Sequence, residues 1–450
     1  MLRQQKNRTM LLISISSLFY FLTAYFLDRT NFNQLITQYL ILFVIFWYLV
    51  TKEKNNFTLL VATAIVFRLV FIVAIPNLSQ DFYRFIWDGR MSLEGLNPYL
   101  YLPETFINKG NLPIKQAVDL YTGMGTLNGS HFTNYPPINQ LNFFIAALFA
   151  NSSIVGSVVV LRLQIILADM GIIYFGKKIL EKLELPVHHI FLYALNPLII
   201  IELTGNLHFE SVMLFFLVWS LFVLLQKKWI GAALIFGLSV SVKLIPLLFL
   251  SLFYQWFTKN KETTGILKFL SFSAITIGLN VLLFLPFLSS NLLSNYSGSV
   301  GLWFQNFEFN ASFYYIAREI GTLFRGYNEI AIIGKILPIL VVIFLLIITF
   351  FRKNKSPQQL ITALLIGISF YYFTTTTMHP WYLATMVVLA VFTNYRFPII
   401  WSFVIVLSYK AYANNPWQEN LWLVMVQYLL VYGFLLWEII QIKKKSLAIK

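Results

Sequence analysis

Long apolar runs separated by short charged clusters recur along the whole chain. They fall at 11–27, 35–50, 58–76, 155–176, 188–204, 209–226, 230–257, 264–287, 330–351, 358–377, 381–394, 397–413 and 419–441. Many reach the roughly 20 residues that a helix needs to cross the hydrocarbon core of a bilayer. The pattern predicts an all-α fold, a polytopic membrane helix bundle.

The cationic clusters between the runs set the topology. They are Arg3/Lys6/Arg8, Lys52/Lys54, Lys177/Lys178/Lys182, Lys227/Lys228, Lys259/Lys261, Arg352/Lys353/Lys355, Arg396 and Lys443/Lys444/Lys445. Cytoplasmic loops are enriched in Lys and Arg, so all of these are expected in the cytoplasm, together with both termini. Two segments must be read accordingly. INQLNFFIAALFAN, 138–151, is short for a span and is expected to lie in the interface or to re-enter. The run 230–257 is expected to cross twice, breaking near Lys243 and Pro246 in SVSVKLIPLL. A proline removes a helix hydrogen bond there, and a lysine is costly at the bilayer centre. The expected total is about 13 to 14 crossings. In the rival count 138–151 spans and 230–257 stays whole, which puts Lys177/Lys178 and Lys227/Lys228 outside. The first run is longer than a signal-peptide core and is read as a retained span. The chain is thus expected to be one integral membrane domain, 1–450, with long outer loops at 77–137 and 288–329.

Composition agrees. Hydrophobic residues make up 58% of the chain and charged residues 11%, against about 25% charged in soluble proteins. The net charge of +15 lies between the spans. It suits a lipid bilayer rather than nucleic acid, for which no basic, aromatic-interleaved soluble domain is present. The absence of cysteine excludes disulfides, thiol nucleophiles and thiolate metal sites.

The first outer loop holds SQDFYRFIWDG, 79–89, with two carboxylates and a guanidinium among four aromatic residues. On a helix Asp81, Arg84 and Asp88 share a face, with Phe82, Phe85 and Ile86 largely opposite. This predicts a helix over 79–91 lying in the interface plane, its charged face toward water or an enclosed cleft. Spacing alone fits equally an ion pair that serves solubility. Within the spans, Arg162 and Asp169 lie seven apart on one helix face and are expected to form a structural ion pair, with Arg68 a further intramembrane charge.

In chain order, Asp81, the WDG at 87–89, GLNPY at 95–99, Pro103 and NYPPINQL at 134–141 resemble the first extracytoplasmic loop of GT-C-type glycosyltransferases. They are most like bacterial polyprenol-phosphate-mannose-dependent mannosyltransferases. NPLIIIELTGNLHFE (196–210), GLSVSVKLIPLLF (237–249), WFQNFEFNASFYY (303–315) and MHPWYL (378–383) extend the resemblance over most of the chain. It implies a GT-C-like bundle in a bacterial plasma membrane, with the active site on the extracytoplasmic face. It also implies a polyprenyl-phosphate hexose, mannose in this family, as donor, a glycan or glycolipid hydroxyl as acceptor, and inversion at the anomeric carbon. The matching catalytic carboxylate is Asp81, with Asp88 second. A hydroxyl acceptor needs a base within reach, and a phosphate leaving group needs cations rather than a proton donor. Arg84, Arg90, Lys243 and Arg318 are the candidate cations, and Tyr135, His208, Glu210, Asn310, His379 and Trp381 join the substrate-binding set. For Trp381 and Tyr382, stacking on a sugar and an ordinary interface belt are both open. The chain shows no DxD pair and no HExxH spacing, so no metal ligand is assigned and no cofactor is expected, with a divalent metal as the open alternative. Two other functions fit many spans with internal charges: a polytopic transporter or lipid flippase, and a membrane scaffold without catalysis.

Overall fold

Helix starts follow local chemistry. Asn31, Asn56 and Ser153 cap helices by accepting the N–H of Gln34, Leu59 and Gly156, and Ser356 and Gln359 form a reciprocal capping box. Pro137, Pro357 and Pro398 stand in first turns, where no amide hydrogen bond is lost. The computed structural model describes residues 2–259, 263–305 and 307–448. Lys261 and Asn306 lie outside them.

In chain order the helices are α1 (Leu2–Phe26), α2 (Phe32–Lys52), α3 (Phe57–Leu69), α4 (Asp81–Leu93), α5 (Pro103–Asn108), α6 (Ala117–Gly129), α7 (Pro137–Ala150), α8 (Ile154–Lys182), α9 (Phe191–Ala194), α10 (Glu210–Leu225) and α11 (Trp229–Val242). There follow α12 (Tyr254–Thr258), α13 (Thr263–Phe284), α14 (Leu292–Gln305), α15 (Phe313–Arg325), α16 (Ile330–Phe351), α17 (Pro357–Thr374), α18 (Ala384–Val391), α19 (Phe397–Val404) and α20 (Leu421–Ala448). Among the described residues there is no strand, only an isolated parallel bridge between Phe309 and Thr377. Among the described residues six helices are long and apolar enough to cross a membrane, and the pair Val187–Ala194 and Ile199–Gly205, bent by 59°, makes a seventh if taken as one span. The chain is an all-α polytopic membrane protein.

The two ends of the bundle differ in charge. At one end Arg8 lies over the Tyr48 ring, Lys177 over Phe57, Lys182 donates to the Leu225 carbonyl, and Gln255 links to Thr349 and Asn354. Lys54 shares a cavity with Arg396 there. The described members of the basic clusters, separated in sequence, therefore lie toward one end, as the charge pattern predicts. The opposite end carries Arg29, the loop 77–137, Glu210, Lys243 and the turns before α18 and α20.

This arrangement decides between the two expected chain paths. α10 runs from Glu210 at the second end to Leu225 at the basic end, and α11 returns to Lys243, whose Nζ is 2.5 Å from Glu210 Oε1. A 3-10 stretch, Ile245–Phe253, and α12 then lead back to the basic end. The run 230–257 is broken at Lys243 as expected. α7 begins beside Ser241, whose hydroxyl accepts the Ile138 N–H, and ends where Ser157 of α8 donates to the Ala150 carbonyl. It lies wholly on the non-basic side and does not traverse the bundle.

Two expectations change. The aromatic face of α4 does not lie on lipid: Phe82, Phe85, Ile86 and Trp87 are buried in protein. Phe85 stacks on Phe143 of α7 at 4.7 Å. Gly89 allows this approach, because a Cβ there would meet the Phe143 carbonyl oxygen at 2.2 Å. The ion pair of Asp169 is with Arg68, at 2.7 Å, not with Arg162. Seven helical residues separate Arg162 from Asp169 by roughly 10 Å of rise. Arg162 instead donates to the carbonyls of Thr204 and Gly205, at the end of the π-turn of the bent pass, and to that of Ile72 just beyond α3.

Candidate active site

A cavity of about 510 Å³ opens at the non-basic end, between the first outer loop and the turns before α10, α18 and α20. Asp81, Arg84, Tyr135, Glu210, Lys243, His379 and Trp381 line it. Residues more than 300 positions apart are brought together because the passes bearing Glu210, Lys243 and His379 all end at this level.

Asp81 stands in the first turn of α4, where a carboxylate is favoured by the helix dipole. It accepts from Asn128 Nδ2 at 3.4 Å. Burial raises its pKa above the ordinary aspartate value, while Lys243, the Asn128 hydrogen bond and Arg29 pull it back. The result is a carboxylate of increased basicity at a cavity wall. Lys243 is held by Glu210, whose second oxygen is buried without a partner among the described residues.

Arg84 lines the cavity but is tied down. Its Nε is 2.8 Å from Asp88, and its Nη1 donates to the carbonyls of Asn128 and His131. Asp88 does not line the cavity; it also accepts from Gln140, so it braces α4 against α7 and the 127–133 segment. Arg90 donates to the Lys115 carbonyl and Gln116, and Arg318 pairs with Glu308 and Glu319; neither reaches the cavity. Asn310 is buried, with a left-handed backbone at φ 48°. It engages Glu419, Met378, Gln427 and Tyr428, which anchors the strand-like turn that carries His379.

Trp381 is the centre of a three-ring stack. His208 lies 3.8 Å from one face, at 14°, and His379 lies 4.4 Å from Trp381, at 5°. Burial, then Lys243 and Arg29, hold the His379 imidazole down at about 3. Burial, Lys243 and His379 push His208 well below its usual value. Both rings are therefore neutral at physiological pH. With both faces covered, Trp381 offers the cavity an edge and not a stacking face. His208 lies behind it, 3.8 Å from Glu202.

Arg29 is absent from the sequence-derived set, yet it lines the cavity. Its guanidinium lies 3.5 Å over the Tyr412 ring, and among the described residues no carboxylate lies within ion-pair distance of it. A signal existed: Arg29, in the short DRT turn between α1 and α2, is a cation at the end where the topology leaves few of them. Tyr371, Tyr372, Tyr382, Tyr412 and Trp417 supply further aromatic and hydroxyl surface. Among the described residues no three His, Asp or Glu side chains gather with metal-binding geometry.

The fold and the cavity define an integral membrane protein with a carboxylate and cations converging in a recess at one end of an α-helical bundle. The chain belongs to the alpha-(1->6)-mannopyranosyltransferase family: the family model for the N-terminal domain matches residues 18–259. It is 22% identical over 239 residues to alpha-(1->6)-mannopyranosyltransferase A of Mycobacterium tuberculosis, a match covering 52% of this chain and 44% of that protein. It is 24% identical over 178 residues to the protein of the same name from Corynebacterium glutamicum, covering 38% and 33%. The matched segment thus spans less than half the length of either curated relative. The resemblance read from the ordered loop motifs holds at the level of the family.

Proposed function

We propose that this protein is a membrane mannosyltransferase that moves a mannosyl group from a polyprenyl-phosphate donor to a hydroxyl of a glycan or glycolipid. Asp81 takes the proton of the acceptor hydroxyl as its oxygen attacks the anomeric carbon. The bond to the phosphate oxygen breaks on the opposite face, so the configuration inverts. Lys243 and Arg29 meet the charge that grows on the departing phosphate, a role for cations aimed where charge develops. In this reading Glu210 positions Lys243, Asp88 and Arg84 fix the helix that presents Asp81, and side-chain cations serve the phosphate without a resident metal. The reaction faces the extracytoplasmic side, because the positive-inside rule places the basic end in the cytoplasm.

The observation that carries this reading is the convergence of Asp81, Lys243 and Arg29 on one cavity in a chain of this family. No observation favours the transporter or the scaffold. Asp81→Asn keeps shape and hydrogen-bond reach but cannot accept the proton. It is expected to lower mannosyl transfer from a labelled polyprenyl-phosphate mannose by about 10²–10⁴-fold, at unchanged membrane levels. Near-normal turnover removes the general-base assignment, and chelator-sensitive turnover removes the metal-free one.

A further inference from the structure

A second cavity, of about 320 Å³, lies at the basic end, far from the carboxylate site. Lys54, His188, His189 and Arg396 line it, and among the described residues no carboxylate does. The nearby acids are engaged elsewhere. Glu438 accepts the backbone N–H groups of Arg396 and Phe397, and Glu53 accepts the Thr9 hydroxyl. Arg396 is fixed by bonds from Nη1 to the carbonyls of Ala390, Thr393 and Tyr395, with Nη2 3.3 Å from His189 Nδ1. Two cations and two imidazoles thus face one open recess, with the Glu438 carboxylate turned to the backbone beside Arg396.

The cavity's other wall points to the source of a counter-charge. Trp47 lines it and is still 51% exposed. Leu40 and Val44, at 41% and 70% exposure, continue the same face of α2 at helical spacing, since positions 40, 44 and 47 align. The charged space therefore opens onto an apolar stripe on the membrane-facing surface, one turn inside the helix end, where headgroups lie.

We propose that this cavity binds an anionic phospholipid of the leaflet at the basic end. Its phosphate sits among Lys54, His188, His189 and Arg396, and an acyl chain runs along Trp47, Val44 and Leu40. Basic pockets between transmembrane helices recognise lipid headgroups by this combination of charge and apolar contact. The site is independent of the chemistry proposed at the other end.

The test is native mass spectrometry of the detergent-solubilised full chain titrated with phosphatidylglycerol, with phosphatidylcholine of the same acyl chains, and with glycerol phosphate. Saturable retention of phosphatidylglycerol is expected, at least tenfold tighter than phosphatidylcholine. Lys54→Gln is expected to weaken it about fivefold, the effect of one juxtamembrane cation, and Trp47→Ala to weaken both lipids. Lys228→Gln, an exposed lysine at the same end and outside the cavity, is expected to change nothing. Equal binding of the two lipids, or an equal loss in Lys228→Gln, overturns the site. Glycerol phosphate that binds as tightly as phosphatidylglycerol overturns the lipid assignment and leaves a soluble phosphate as the ligand. An unchanged thermal midpoint in phosphatidylcholine shows that each variant is folded.

Discussion

Asp81 and its neighbours illustrate how a few charges are tuned in a protein with only 18 acidic residues. Burial raises the Asp81 pKa, and Lys243 and Arg29 lower it again. If Asp81 is the base, it must be ionised to act, so activity falls as pH drops through its pKa. The acid limb of kcat/KM should therefore lie above the ordinary aspartate value of about 3.9. Lys243→Gln removes a cation that favours the ionised form, so the limb should move to still higher pH while the plateau falls. A pH–rate profile of both proteins checks the sign: a shift to lower pH contradicts the electrostatic coupling. Arg29 tests the other partner. Arg29→Gln should weaken donor use by about 10-fold or more, as expected for loss of a charge-assisted phosphate contact of roughly 1.5–3 kcal/mol. Arg29→Lys should restore part of it. Equal kcat/KM in wild type and Arg29→Gln shows that the phosphate lies elsewhere.

At the scale of elements, α4 and α7 form the wall that presents Asp81. Their contact is close because Gly89 faces the Phe143 carbonyl and Phe85 stacks on the Phe143 ring. Gly89→Ala puts a methyl group into backbone, which cannot yield as a flexible side chain can. Overpacking of this kind costs about 1–3 kcal/mol. The variant should show a lower thermal midpoint in detergent and reduced transfer, since α4 must move and carries Asp81 with it. A midpoint equal to wild type removes the close-approach account of Gly89. The WDG stretch was visible in the sequence as a motif. Its reason was not, because the partner carbonyl stands 54 residues further along.

At the scale of the molecule, the described members of the basic clusters lie toward one end and the carboxylate cavity occupies the other. The chain has no cysteine, so single introduced thiols report their side without interference. Lys109→Cys, exposed in the first outer loop, should react with an impermeant maleimide on intact cells. Lys228→Cys should react only after the membrane is opened. The reverse pattern inverts the proposed orientation, and the site with it.

The all-α membrane class, the side-by-side grouping of the cationic clusters and the break at Lys243 were all legible in the sequence. They depend on hydropathy and charge, which act locally along each segment. The family resemblance was legible because its motifs recur in order. Partner choice was not. Asp169 pairs with Arg68 from another helix rather than with Arg162 on its own. Asn310 and Arg90, which read as substrate contacts, are placed on backbone and neighbouring side chains away from the cavity. Trp381, for which sugar stacking and an interface belt were both open, has both faces covered by imidazoles contributed by two different turns. Arg29 reaches the cavity only because α1 and α2 meet beside the Tyr412 turn. Periodicity says which face of a helix a residue occupies. Which side chain meets it there depends on how passes far apart in the chain are packed, and only the tertiary structure decides that.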